Sequence, residues 1–175
     1  LLDLVQRALP HSDVKVIFSD TTMEVRDTYK AYEIAKKRWP TLEFRTARSD
    51  FLAKDTWEVF GPPSRTQRWC CSVHKSAPSI LLLRQIIGKA DARILVFDGV
   101  RAEESITRST YDLVSDGSKH FTQSNCRPLL KWNSAEIFHY LFEFGLMLNK
   151  AYRYGFNRVG CAICPLSSSW REYVA

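Results

Sequence analysis

The chain has 175 residues, 45% hydrophobic and 25% charged, enough apolar material for a buried core and far from the composition of a disordered chain. No apolar run approaches the roughly 18 to 20 residues of a membrane-spanning helix, and the start lacks the layout of a signal peptide, so the expectation is one cytoplasmic domain over residues 1–175 with no membrane partner. Lysine and arginine outnumber the acids 25 to 19, a formal charge of +6, which favours anionic partners such as nucleotides, sulfate esters or nucleic acid without choosing among them.

Residues 1–9 carry helical apolar spacing with no capping residue before them, which predicts a chain that begins inside a helix, with a strand and any phosphate-binding loop upstream. Pro10, His11 and Ser12 make a turn, and Val14 to Phe18 reads as a buried strand ending at Ser19, Asp20, Thr21 and Thr22. A helix is expected from Glu24 to Arg38, stopped by Pro40, then a short strand from Leu42 to Thr46 and a loop-rich connection through Gly61, Pro62, Pro63 and Ser64. Ser76 to Ile87 is helical in spacing, with Pro78 near its first turn and Gly88 at its end, and Arg93 to Phe97 is a further buried strand. Beyond it come a turn at Asp116 and Gly117, an extended segment from Arg127 to Leu130, and a helix from Ser134 to Phe144. Trp132, Phe138, Tyr140 and Leu141 read as core. Helices alternating with β-branched strands predict an α/β fold: an open, mostly parallel sheet with helices on both faces, because parallel strands need crossover connections. Ligands of such sheets sit at the carboxyl ends of strands, which puts Asp20 and Thr21, and the stretch from Asp98 to Arg101, on the functional edge.

Cys70 and Cys71 are adjacent, and Cys161 and Cys164 form a CxxC pair about ninety positions later. In a thiol-buffered compartment such pairs read as metal ligands, and four thiolates satisfy either an iron–sulfur cubane or a tetrahedral zinc ion. Adjacent cysteines suit a cluster better, since each can bind a different iron, with zinc as the alternative. Cys126 has no nearby partner and reads as a packed thiol, and His74 and His120 read as surface or packed histidines.

The segment from Trp69 to Pro78, with Cys70, Cys71, Lys75 and Pro78 in a CCxxxKxxP pattern, resembles the adenylyl-sulfate and phosphoadenylyl-sulfate reductases of the cluster-bearing type. Phe18 to Thr22, the GxRxxES pattern from Gly99 to Ser105 with Arg108 after it, Arg127 to Trp132, and Gly160 to Pro165 agree in order, so the resemblance spans nearly the whole chain. It implies a Rossmann-like adenine nucleotide α-hydrolase fold and a [4Fe–4S] cluster held by Cys70, Cys71, Cys161 and Cys164. It also implies that an adenosine phosphosulfate is reduced to sulfite and an adenosine phosphate in sulfate assimilation, with a thiol reductant such as thioredoxin. Asp20, Thr21, Lys75, Arg101 and Arg108 become the candidate substrate-binding residues, the arginines as planar forks for phosphate or sulfate oxygens. The family's phosphate loop is expected before Leu1, and its nucleophilic cysteine after Ala175. Without that cysteine, the alternatives are an ATP-dependent sulfurtransferase acting on tRNA or DNA, and a non-catalytic binding module stabilised by its metal. Surface pairing of Glu104 with Arg108 and turn formation by Asp20 and Thr21 are the competing structural roles.

Overall fold

The computed structural model describes residues 1–88, 93–116, 123–156 and 159–166. In chain order the elements are α1 (Leu2–Ala8), β1 (Lys15–Asp20), α2 (Arg26–Arg38), β2 (Glu43–Arg48), α3 (Ala53–Phe60), α4 (Trp69–Cys71), α5 (Ala77–Ile87), β3 (Ile94–Phe97), α6 (Ile106–Ser109), β4 (Val114–Asp116), β5 (Gln123–Cys126) and α7 (Ser134–Glu143). A five-residue π-helical turn, Ser72–Ser76, joins α4 to α5. The chain divides into two compact units, one of Lys15–Gly88 with Asn149–Ala175 and one of Leu1–Val14 with Lys89–Leu148.

In the unit from Lys15 onward, β1 and β2 pair in parallel, Val16 opposite Phe44 and Phe18 opposite Thr46. The period of two puts these four residues on one face, and α2 covers it. Tyr32 stacks on Phe18 at 4.6 Å between ring centroids, meets Phe44 edge-on at 5.7 Å and reaches the Thr46 hydroxyl at 3.2 Å. Ser19 points the other way and its hydroxyl lies 3.0 Å from that of Ser79 on α5. Helices therefore lie on both faces of this parallel pair. Pro78 in the first turn and Gly88 in the left-handed conformation at the end (φ 64) delimit α5 as expected, with its start moved to Ala77 because the π turn precedes it.

In the other unit β5 is central, parallel to β3 and antiparallel to β4, in the order β3-β5-β4. The first half of the expected turn, Asp116, is the last residue of β4, while Gly117 lies outside the described residues, as does His120. The expected extended run from Arg127 to Leu130 is a turn instead, closed by the Leu130 amide donating to the Arg127 carbonyl. Arg127 explains why. Its guanidinium is buried, Nη1 donates to the Asp112 carbonyl at 2.8 Å and to Ser115 Oγ at 3.0 Å, Asp98 stands 3.4 Å from Nε, and the group lies over the Tyr111 ring. The chain must turn immediately to leave that side chain inside. Helix α7 opens with a capping box of Asn133 and Glu136, and Asp3 ties α1 to it by accepting from the Tyr140 hydroxyl at 2.7 Å while pairing with Arg7. Trp132 and Tyr140 are only half-buried and line an open groove of about 300 Å³, so they belong to the surface layer of α7 rather than to a closed core.

Arg127 engages three partners, the Asp112 carbonyl, the Ser115 hydroxyl and the Asp98 carboxylate. Arg127→Leu should lower the denaturant-derived stability by roughly 3 kcal/mol, the range for a buried charged group stripped from its acceptors. Arg127→Lys, which keeps the charge and loses the fork, should fall between.

Candidate functional site

All four cysteines of the two pairs belong to the unit from Lys15 onward, together with Asp20, Thr21 and Lys75. Arg101 and Arg108 belong to the other unit.

At the carboxyl end of β1, Asp20 is buried and fully engaged. Its Oδ1 accepts from the Thr22 amide at 2.8 Å and from the Tyr29 hydroxyl at 2.9 Å, and Oδ2 faces Arg48 Nε at 3.3 Å. Burial and the bond to Asp20 push the Tyr29 phenol up to about 12. Asp20 thus shapes the turn, and the turn is strained: Thr22 has φ 62, a left-handed backbone that a β-branched residue rarely adopts. Thr21 is buried at the tip, donates to Glu24 Oε1 at 3.0 Å and lies 3.3 Å from Cys161 Sγ.

The turn from Gly160 is docked on this loop by backbone bonds. The Ala162 amide donates to the Met23 carbonyl at 2.7 Å and the Val25 amide to the Gly160 carbonyl at 3.4 Å, which makes Glu24 and Cys161 an antiparallel bridge. Cys161 Sγ in turn reaches Glu24 Oε1 at 3.5 Å. Burial, reinforced by the Glu24 carboxylate, raises the Cys161 thiol to about 11 against the opposing pull of Thr21 and Lys75. The Cys164 amide closes the turn on the Cys161 carbonyl.

Cys70 and Cys71 sit in α4, with Cys71 exposed and Cys70 partly covered. Burial raises the Cys70 thiol, and the charges of Cys71 and Cys164 raise it further, so these three thiols lie within electrostatic reach of one another. Lys75 follows on the π turn, exposed, within electrostatic range of Cys161. His74, expected at the surface or packed, is completely buried. As a donor set this is right in kind and number for a four-thiolate group, and the sharing of one unit favours it. Among the described residues no three Cys, His, Asp or Glu side chains stand in a ready ligand arrangement, and the Cys161 sulfur faces Thr21 and Glu24.

In the second unit, Arg101 lies four residues after β3 and is buried, 7% exposed, with Nε 3.3 Å from Glu103 Oε1 and Nη2 3.6 Å from Glu104 Oε1. Its Nε lacks the alignment of a hydrogen bond. Arg108 pairs with Glu104, the i,i+4 contact that the spacing offered. Cys126 ends β5 opposite Phe97 and Val114, a strand thiol remote in role from the two pairs. Sequence reasoning missed Glu24, Tyr29 and Arg48, whose partners are set only by the fold; a carboxylate four residues after a strand-end aspartate is the one signal that pointed to Glu24.

A thiol with its pKa near 11 is about one part in a thousand thiolate at pH 8. In protein freed of metal, Cys161 should be alkylated far more slowly than exposed Cys71 at pH 8 and should gain rate as the pH climbs toward 11. Glu24→Gln should move that profile to lower pH, read residue by residue by mass spectrometry; an unmoved profile would clear Glu24 of any influence.

An uncharacterized protein of Methanocaldococcus jannaschii is 31% identical over 153 residues, 87% of this chain and 31% of that protein. The adenosine 5'-phosphosulfate reductase of Halalkalibacterium halodurans is 28% identical over 166 residues, 94% of this chain and 68% of the reductase. The chain therefore spans about a third of the first relative and about two thirds of the second. Among solved structures, the phosphoadenylyl-sulfate reductase of Candida auris, a phosphate complex, superposes with a TM-score of 0.66 at 18% identity, covering 91% of this chain and 73% of that one. The FMN adenylyltransferase of Candida glabrata, in complex with FAD and inorganic pyrophosphate, gives 0.56 at 16% identity over 84% of this chain and 42% of that one. These likenesses show the α/β fold with helices against a parallel sheet. The family profile of the phosphoadenosine phosphosulfate reductase domain matches residues 1–167, and the chain belongs to that family.

Proposed function

We propose that the chain is the nucleotide-binding part of an oxidoreductase that reduces adenylyl sulfate or its 3'-phosphorylated form to sulfite and an adenosine phosphate, in sulfate assimilation. The observation that carries this reading is the delivery of the tandem Cys70 and Cys71 and the Cys161 and Cys164 pair to one unit, beside Lys75, in a chain of this family. The relatives named as adenosine 5'-phosphosulfate reductases support the choice of substrate class.

In this reading Cys70, Cys71, Cys161 and Cys164 hold a [4Fe–4S] cluster, which supplies a fixed local charge and polarisable sulfur next to the substrate. Lys75 places an ammonium beside that site and attracts the sulfate end of the substrate. Within its own unit, Arg101 is the candidate for binding an anion such as phosphate, its Nε being the buried donor that Glu103 and Glu104 leave without an aligned acceptor among the described residues. Arg108 adds charge through Glu104, while Asp20 and Thr21 shape the loop that meets the nucleoside. A thiolate attacks the sulfate sulfur, the bond from sulfur to the phosphate oxygen breaks, and the adenosine phosphate leaves with the electron pair. The resulting S-sulfonate is attacked at its thiol sulfur by a second thiol, which forms a disulfide and releases sulfite. None of the five cysteines is assigned the nucleophilic role; the second thiol fits a reductant such as thioredoxin, and the whole reading fits the thiol-buffered cytoplasm. No helix among the described residues is long and apolar enough to cross a membrane.

Anaerobic protein should be brown and carry about four irons and four sulfides per chain. Serine at Cys70, Cys71, Cys161 or Cys164 should abolish the cluster and Cys126→Ser should keep it, whereas colourless protein with stoichiometric zinc would overturn the assignment. Arg101→Lys should weaken adenylyl sulfate by on the order of tenfold, the loss of one charge-assisted bond, while adenosine binds both proteins equally. Tight binding of ATP with neither phosphosulfate bound would favour an ATP-dependent sulfurtransferase acting on nucleic acid instead.

A further inference from the structure

The tandem cysteines stand on a helix whose register changes directly after them. The Ala77 amide bonds back to the Ser72 carbonyl, an i to i−5 bond, where α-helix would use i−4. One extra residue in the turn offsets the faces before and after it by about 100°. In unbroken α-helix, Cys71 and Lys75 at i and i+4 would stack on one face. With the wide turn it is Cys70, five residues before Lys75, that comes closer to sharing Lys75's face, and Cys71 is turned outward to its exposed position. Wide turns are rare and need something to hold them.

Helix α3 supplies two grips, one on each side of the cysteines. Phe60 packs on Trp69 at 5.3 Å between ring centroids, just before Cys70. One helical turn earlier on the same face, Thr56 meets His74, within the wide turn, at 2.8 Å from Oγ1 to Nε2. The Thr56 hydroxyl has one proton, and its short bond to the Ala53 carbonyl at 2.8 Å uses it. That leaves His74 Nε2 to donate to Thr56, and Nδ1 is then an acceptor, buried and with no hydrogen-bond partner among the described residues. A neutral imidazole with 0% exposure, committed on one nitrogen and unsatisfied on the other, is an unfavourable element for stability alone. Its location within the π turn gives it a different purpose.

We propose that His74 is a positioning residue: through Thr56 it locks the wide turn from Ser72 to Ser76, and so fixes the separate directions in which Cys70 and Cys71 present their sulfurs. That those sulfurs then serve as cluster ligands rests on the function proposed above.

The test uses the whole chain freed of metal, so that it does not depend on the cluster. Cys70 and Cys71 are alkylated with iodoacetamide and their rates resolved by mass spectrometry. In the parent, Cys71 should react faster; in Thr56→Val, which removes the acceptor at nearly constant shape, the ratio of the two rates should shift by about threefold or more. Thr56→Ser, which retains the hydroxyl, should restore the parental ratio even where its denaturation midpoint is lower. A merely structural contact would lower the midpoint in both variants and leave the ratio alone, and that result overturns the proposal. A measurement on the parent itself guards against a Thr56→Val that does not fold. Nitrogen NMR of the His74 ring at pH 7 should show the Nε2–H tautomer with Nδ1 unprotonated, and a ring protonated on Nδ1 would equally overturn it. Iron analysis of the anaerobic parent decides the cluster reading separately, since an iron-free parent whose ratio still shifts in Thr56→Val would remove the cluster and keep the role of His74.

Discussion

If the four paired cysteines serve one cluster as proposed, thiols at positions 161 and 164 have to reach thiols at 70 and 71, and burial of apolar surface, being non-directional, does not specify such a meeting. Backbone hydrogen bonds do. The segment from Gly160 to Ala162 lies antiparallel to the loop from Met23 to Val25, and this short bridge fixes where the late pair stands relative to the end of β1. The early pair is fixed to the same frame by a different route, through α5 on the opposite face of the sheet from α2. A second tie joins the two cysteine-bearing segments directly, Arg65 Nε donating to the Pro165 carbonyl at 3.2 Å.

Charge is handled by enclosure as much as by display. A chain with a surplus of six positive charges would be expected to spread its arginines over the surface, yet Arg101 and Arg127 are both inside the second unit. Arg127 is consumed by a backbone carbonyl, a serine hydroxyl, an aspartate and an aromatic ring, which makes it architecture. Arg101 has only glutamates at marginal geometry, and this difference in satisfaction separates an anion-binding candidate from a structural residue of the same type.

The parts of the fold that follow a simple period were readable from the chain. Strands β1 and β3 have continuous apolar runs, β2 alternates charged residues with Phe44, Thr46 and Ala47, α2, α5 and α7 have clear stops or caps, and each of these elements lies within one or two residues of its expected bounds. Helix α3 was hidden because it is short and runs straight into Gly61, Pro62 and Pro63, whose turn signal outweighed the helical spacing of Ala53, Trp57 and Phe60. Strands β4 and β5 were hidden for a different reason: Gln123 and Asn125 are the buried members of β5, bonded to each other, and polar residues facing inward invert the pattern that identifies a strand. At the candidate site the cysteines announced themselves by spacing. Their neighbours did not, because Glu24, Thr56 and Tyr29 have ordinary sequence surroundings and acquire meaning only through partners distant in the chain.

Thr22 carries a consequence for how the site responds to perturbation. Its left-handed backbone costs on the order of 1 to 3 kcal/mol, and the conformation is sustained by Asp20 beneath it and by the docked strand at Met23. Undocking of the CxxC turn would therefore release that strain as well as breaking the bridge, so the two events are thermodynamically coupled and the coupling runs in both directions. Anything that tightens the late cysteine pair also clamps the loop at the end of β1, and anything that orders that loop steadies the cysteines in return.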